Sequence, residues 1–429
     1  MTARLRIPTH QLREGMYVAQ LDRPWLETPF LFQGFLIRSQ REVEELTRYC
    51  QWVFVDRERS DIDPVSGAAI EQGNSNPVKS LIRWLRGRPP ANHSIQPSQT
   101  VQGTTDSAAT DHETTIGDEL PHAEDSVARA QEMVLQATQQ LQVSETIERS
   151  LVNQAVDPII ESVLRNKDAM IWLQSVRGKD SYIFSRSVAC AVWSVIFGRH
   201  LGLDREALSL LATGSLLLDM GKAKLPEEIL TRAGPLQENE MDLVRQHVDY
   251  GVGMLERSGD YDPRVIEMVR THHERFNGTG YPDGLKGTAI PPLGKIAGIL
   301  DTFVAMTSQR PYADAMSTFE VMRHLDSLAD VEFQSELVEQ FIQAVGMFPT
   351  GSLVELSTGE VAVVTSQNRI RRLRPKVMIV LGQDKKLLEK FEQVDLRKTT
   401  TTESGKDSLF IAHGLPPGSY GIDPAEFFL

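Results

Sequence analysis

Cysteine is nearly absent: the 429 residues hold two, Cys50 and Cys190, far apart and with no partner spacing. That excludes a disulfide scaffold and a cysteine-based zinc site, and it suits a reducing cytoplasm. No stretch approaches the roughly 18 uninterrupted apolar residues of a transmembrane helix. The opening Met1 to Arg6 lacks the apolar core of a secretion signal. Positive charge is in deficit: 45 Lys and Arg against 58 Asp and Glu leave a formal charge of −13. No whole-chain positive field would draw in a polyanion, so nucleic acid is not an expected partner. Large apolar side chains nearly vanish over residues 92–125, which are rich in Ser, Thr, Gln, Asp and Gly. Such a segment cannot bury enough surface to offset its ordering entropy.

The remaining chain is well supplied with apolar residues, 41% overall, as a globular protein requires. Their periodicity divides it into four parts. Residues 1–70 read as a small α/β module, with a helix over Arg41–Cys50 and a buried strand at Trp52–Val55. Residues 71–125 read as a linker, largely disordered. Residues 126–346 carry a nearly continuous helical pattern, with helices near 181–201, 205–219, 237–256, 263–274, 292–308, 317–328 and 334–345. Residues 347–429 form a β-rich tail, opened by a hairpin around Ser357-Thr358-Gly359 and continued by a strand at Val377–Leu381. The basic run from Arg369 to Lys376 reads as a charged, exposed strand edge. The fold class is therefore mainly α: a helical bundle with a small α/β module before it and a β-rich extension after it.

Within the bundle, five polar residues fall on apolar faces. Asp219 follows Ser215 by four beside Leu218, and His247 follows Leu243 by four. His272 and His273 follow Met268 and Val269 by four, and Asp301 follows Ala297 by four. A buried carboxylate is costly unless its charge is compensated. A divalent ion would satisfy these imidazoles and carboxylates together, since both donor types suit zinc, iron or manganese. Spacing alone leaves the plainer reading ahead, because an inward histidine is commonly a hydrogen-bonded core residue and an inward aspartate a cap or an arginine partner.

Longer motifs shift that balance. His272-His273-Glu274-Arg275 followed by Asn277-Gly278-Thr279-Gly280-Tyr281-Pro282 resembles the HD-GYP signature. Asp301-Thr302-Phe303 with Thr307-Ser308-Gln309-Arg310-Pro311-Tyr312 resembles its next motif, and Leu218-Asp219-Met220-Gly221-Lys222 its name-giving one. The resemblance covers about residues 140–345. The N-terminal stretch is similar to a domain of unknown function that often precedes HD-GYP units, and the tail to their C-terminal extension. The resemblance implies an HD-type helical bundle, a bacterial cytoplasmic setting and metal-assisted hydrolysis of cyclic di-GMP to pGpG or GMP. It implies metal ligands at Asp219, His247, His272, His273 and Asp301, with Asp219, Lys222 and Asp301 as the catalytic set. Lys222, Arg310 and Tyr281 would contact substrate, and the Gly280-Tyr281-Pro282 loop is where cyclic di-GMP synthase domains would dock.

Two departures bear on chemistry. The family has a His-Ser pair where this chain has Phe184-Ser185, and His-Asp where it has Leu218-Asp219. Phe184 and Leu218 donate no lone pair, so these are lost ligand positions. The metal that the resemblance assigns to them keeps only Asp219 and Asp301, whereas the other keeps Asp219 and three histidines. The expectation is one divalent metal (Fe, Mn or Zn), no two-metal centre, and a signalling protein that binds nucleotide or partner proteins with weak or lost hydrolysis. The alternative is an active metal-dependent cyclic di-GMP phosphodiesterase working from a single ion, with Asp301 orienting the water.

Overall fold

The computed structural model describes residues 4–23, 35–37, 39–57, 60–64, 66, 114–176, 182–232, 234, 236–309, 313–368, 372–398 and 409–427, with backbone alone at 4, 41, 142 and 182–185. Most of the linker expected over 71–125 thus lies outside the described residues, as does Arg310.

The N-terminal module is a four-stranded antiparallel sheet of β1 (Arg4–Pro8), β2 (Tyr17–Leu21), β3 (Phe35–Leu36) and β4 (Trp52–Asp56), in the order β1-β4-β2-β3. Strand period explains β4: Val53 and Val55 point into the core with Ile7, Val18 and Leu46, while Trp52 and Phe54 face out and meet edge to face. Helix α1 (Gln40–Tyr49) starts on a reciprocal cap between Ser39 and Glu42 and lays Val43 and Leu46 on the sheet.

The bundle opens with α2 (Ile116–Ser144) and α3 (Arg149–Val176). Helix α2 begins ten residues ahead of the bundle start read from the sequence. Thr115 caps it by accepting from the Asp118 amide at 3.2 Å, and Ala123, Val127, Ala130, Val134, Ala137 and Leu141, spaced four and three apart, form its buried stripe. Buried Glu119 accepts from Arg165 Nε and Nη2 at 2.8 and 2.9 Å and from Ser162 at 2.7 Å. These contacts order a stretch whose composition alone promised no core. Helix α3 is broken at Asn166, which is extended (φ −150°, ψ 98°) and caps the second half by accepting from the Asp168 amide at 3.0 Å.

Next come α4 (Tyr182–His200) and α5 (Arg205–Leu217), then a 3₁₀ turn over Met220–Lys224 and the short α6 (Glu227–Leu230). From Val188 to Phe197, α4 carries no charge, and from Ala207 onward nearly every residue of α5 is buried. Helices apolar all round sit at the centre of a bundle. Around them pack α7 (Glu238–Arg245), α8 (His247–Ser258), α9 (Pro263–Thr271), α10 (Pro292–Thr307), α11 (Thr318–Ser327) and α12 (Ser335–Val345). The single helix expected over 237–256 is two, divided at Gln246, so His247 opens a helix instead of lying within one.

The tail is a five-stranded antiparallel sheet ordered β8-β7-β6-β5-β9, from β5 (Leu353–Leu356), β6 (Val361–Ser366), β7 (Lys376–Leu381), β8 (Leu387–Asp395) and β9 (Ile411–Leu415). Leu353, Val361 and Val380 pack on Trp172 of α3. The charged-edge reading of Arg369–Lys376 needs correction. Lys376 opens β7, which is paired on both sides, and the guanidinium groups of Arg372 and Arg374 donate to the carbonyls of Gln343 and Leu396. The basic residues there serve as carbonyl caps; Arg369, Ile370 and Arg371 lie outside the described residues. Among the described residues no helix is long and apolar enough to cross a membrane.

Candidate metal centre

Four elements meet at one place in the bundle. Asp219 follows α5 and starts the 3₁₀ turn, His247 begins α8, His272 caps α9 with His273 directly after it, and Asp301 lies within α10. Gly221 permits the approach. A Cβ there would meet the carbonyl oxygen of His247 at 1.9 Å and the amide nitrogen of Gly251 at 2.6 Å, so the turn rests directly on the first turn of α8.

Asp219, His247, His272 and His273 each bring a ligand atom within 4.8 Å of the others. His247 and His272 are held alike. The Nδ1 of each donates to a carbonyl three residues back, Val244 and Val269, at 2.7 Å. A carbonyl only accepts, so in each neutral ring the proton is on Nδ1 and Nε2 carries a lone pair. Those Nε2 atoms face each other at 3.4 Å, and His247 Nε2 stands 3.4 Å from Asp219 Oδ1. Three lone pairs converge with no proton to share, and Asp219 Oδ1 is buried with no hydrogen-bond partner among the described residues. Burial pushes the His247 pKa down to about 4, lowers that of His272 and takes that of His273 well below the usual range, so the imidazoles stay neutral at pH 7. Burial alone would raise the pKa of Asp219. Lys222 and Arg186 overcome that and hold it well below the usual carboxylate range. Neutral imidazoles and an ionised carboxylate around an orphaned acceptor are the donor set a divalent ion takes.

Not every expected residue joins the group. Asp301, read as a fifth ligand, has an oxygen 4.0 Å from His273 Nδ1, while its other oxygen is paired with the Arg186 guanidinium. Arg186 holds its pKa down against the raising effect of burial. Lys222, expected on a phosphate, donates to Asp219 Oδ2 at 2.7 Å. The Leu218 side chain is 2% exposed and packs in the core, offering no donor. Phe184 lies in α4, but its side chain and the whole of Arg310 are outside the described residues.

The Gly280-Tyr281-Pro282 loop covers one side. Tyr281 stacks on His273, ring centroids 4.6 Å apart at 25°, and burial raises its hydroxyl pKa, so it remains a hydrogen-bond donor. Gly280 is required, because a Cβ would sit 2.4 Å from both the Arg275 amide nitrogen and the His273 carbonyl. Buried Glu274 ties the loop down by accepting from the Asp283 and Leu285 amides at 2.8 and 2.9 Å. Sequence reading gave Glu274 no role, although it stands inside the His272–Arg275 motif. Glu274→Gln leaves one of those amides without an acceptor. Urea unfolding should show a loss of about 1–3 kcal/mol, and amide exchange at Asp283 and Leu285 should quicken; unchanged exchange would refute the anchoring role. Arg186 was also missed. Its one signal was a lone charge ahead of the apolar run of α4.

Family models of known proteins match the chain over three stretches: a domain of unknown function, DUF3391, over residues 4–152, an HD domain over 173–337, and a KOW domain associated with HD domains over 353–413. The chain is similar to cyclic di-GMP phosphodiesterase PA4108 of Pseudomonas aeruginosa, 29% identical over 93% of this chain and 90% of that one. It is also similar to a cyclic di-GMP phosphodiesterase of Thermotoga maritima, 35% identical over 34% of this chain and 39% of the relative. Among solved structures, Bd1817, an HDG"Y"P protein from Bdellovibrio bacteriovorus, aligns at 15% identity over 79% of this chain and 98% of that one, with a TM-score of 0.40.

Proposed function

Because the chain belongs to the HD-domain proteins of HD-GYP type, we propose that it binds cyclic di-GMP beside a single divalent ion and hydrolyses it weakly or not at all. The observation that carries this reading is the set of facing, unprotonated Nε2 atoms of His247 and His272 against the orphaned Oδ1 of Asp219. His273 completes the ligand set. When bound, the ion would supply Lewis-acid neutralisation of a phosphodiester oxygen and a water of lowered pKa.

The chain's own residues supply the rest. Lys222, 2.7 Å from Asp219, is among the described residues the cation nearest Asp219 and can turn toward an incoming phosphate. The Tyr281 hydroxyl, kept protonated by burial, can donate to a phosphate oxygen while its ring backs His273. Asp301 is held by Arg186 and can accept from a water. A second ion would lack donors: Leu218 is apolar and buried, and Phe184 is a phenylalanine whatever its conformation. Without a two-metal clamp, the attacking and leaving oxygens are not stabilised together, and that joint stabilisation is the main advantage of a bimetallic site. The Gly280-Tyr281-Pro282 loop, with Pro282 exposed, offers a surface for a cyclic di-GMP synthase domain.

The test is calorimetric binding of cyclic di-GMP to Mn²⁺-loaded protein, paired with chromatographic detection of pGpG and GMP. Saturable binding with a turnover below about 0.01 s⁻¹ is expected, against the roughly 1–10³ s⁻¹ of ordinary enzymes. Turnover within the ordinary range would overturn the impaired-hydrolysis reading in favour of a working phosphodiesterase.

A further inference from the structure

Arg186 is not accounted for by ligand binding or by the packing of α4. Its side chain is only 11% exposed, and it lies between two carboxylates. Its Nη2 is paired with Asp301 Oδ1, and its Nε stands 3.6 Å from Asp219 Oδ2. The two oxygens of Asp219 are thereby divided. Oδ1 points to His247 and has no hydrogen-bond partner, whereas Oδ2 faces Lys222 at 2.7 Å and Arg186. Among the described residues the paired charges balance: two carboxylates, one guanidinium and one ammonium, with the imidazoles neutral. A dication bridging Asp219 and Asp301 would need the volume the guanidinium fills, and it would meet the repulsion of a cation that does not deprotonate.

We infer that the Arg186 guanidinium is a built-in cation standing where a second metal ion would bridge Asp219 and Asp301, so the centre takes one ion and Asp219 serves that ion through Oδ1 and Arg186 through Oδ2. This rests on the single-ion reading above and adds its cause: the second position is filled as well as stripped of donors. Arg186 is a positioning residue here, since it acts by holding both carboxylates. Its planar fork reaches two carboxylates at once, which a lysine ammonium does less well.

The test counts ions instead of turnover. Full-length protein is stripped of metal and titrated with Mn²⁺ by calorimetry, and the ions retained per chain are measured by elemental analysis. The wild type is expected to bind one Mn²⁺ per chain. Arg186→Met, which keeps the apolar reach and removes the charge, is expected to take a second Mn²⁺ only weakly, at millimolar concentration, because the freed carboxylates of Asp219 and Asp301 are the donors left there. Its metal-free melting temperature should fall below the wild type's, and Mn²⁺ should restore it. Arg186→Lys, which keeps a cation, is expected to bind one. Two ions in the wild type or in Arg186→Lys would overturn the inference, as would an unchanged count of one and unchanged affinity in Arg186→Met. If Arg186→Met does not fold, the counts for the wild type and Arg186→Lys decide. An absence of bound Mn²⁺ in every variant would overturn the single-ion reading itself, a result distinct from a count that stays at one.

Discussion

Substituting His272 by alanine is expected to weaken Mn²⁺ binding by at least about a hundredfold, since even residues that merely orient a ligand are worth 10–100-fold. The consequence is larger than a lost contact. In the metal-free protein the Nε2 atoms of His247 and His272 oppose each other across 3.4 Å with no proton between them. An ion held there converts that repulsion into two bonds. Mn²⁺ at a hundredfold excess over its Kd should stabilise the wild type by about 2.7 kcal/mol, read as a rise in melting temperature, and His272→Ala should lose nearly all of that rise. His247→Ala should behave in the same way. The alternative, in which these histidines only fill the core, predicts a different pattern: both variants would melt earlier with or without metal, and the wild type would not respond to Mn²⁺. A wild-type melting temperature unmoved by Mn²⁺, Fe²⁺ and Zn²⁺ would mean that these side chains form no metal centre.

Gly221→Ala is expected to be the most disruptive one-methyl change near the site. The added carbon would fall 1.9 Å from the His247 carbonyl oxygen and 2.6 Å from the Gly251 nitrogen, both backbone atoms of α8. No rotamer relieves such a clash, so the 3₁₀ turn must move off the helix, taking Asp219 and Lys222 with it. Overpacking of this kind costs about 1–3 kcal/mol and sometimes more, and here the upper end is expected in urea unfolding. Metal affinity should fall as well, because Asp219 Oδ1 leaves His247. Gly259→Ala is the matching control. It sits at φ +78° after α8 with open space around its Cβ, so it should cost about 1 kcal/mol through backbone strain and leave Mn²⁺ affinity unchanged. Equal loss of metal affinity in both variants would mean that the turn-to-helix contact has no special part in building the centre.

Much of the fold was legible because local periodicity survives in the final packing. The pattern near 181–201 reads as a helix, the apolar run Trp52–Val55 as a buried strand, which the structure buries fully only at Val53 and Val55, and the turn at Ser357-Thr358-Gly359 as the hairpin joining β5 and β6. Boundaries were less legible where the stabilising partner is distant in sequence. Helix α2 reaches back to Ile116 because Glu119 finds Arg165 and Ser162, more than forty residues on. The break at Gln246 leaves no periodic mark, since apolar spacing continues across it. Lys376 carries the charge of an edge residue, yet pairing on both sides of β7 makes its strand internal.

The candidate site divides along the same line. Residue types by themselves determined that Asp219, His247, His272, His273 and Asp301 can offer nitrogen and oxygen donors and that Phe184 and Leu218 can offer none; spacing left their grouping open, and only the motif resemblance suggested it. The donor types are properties of side-chain chemistry, fixed before the chain folds. Only the tertiary structure decided that Asp301 stands behind the group and that Lys222 rests on Asp219. It alone placed Arg186 between the two carboxylates. The physical reason is that charge pairing inside a protein depends on close approach between residues as far apart in the chain as 186 and 301, and on which carboxylate oxygen faces which neighbour. Neither quantity has a period in the sequence.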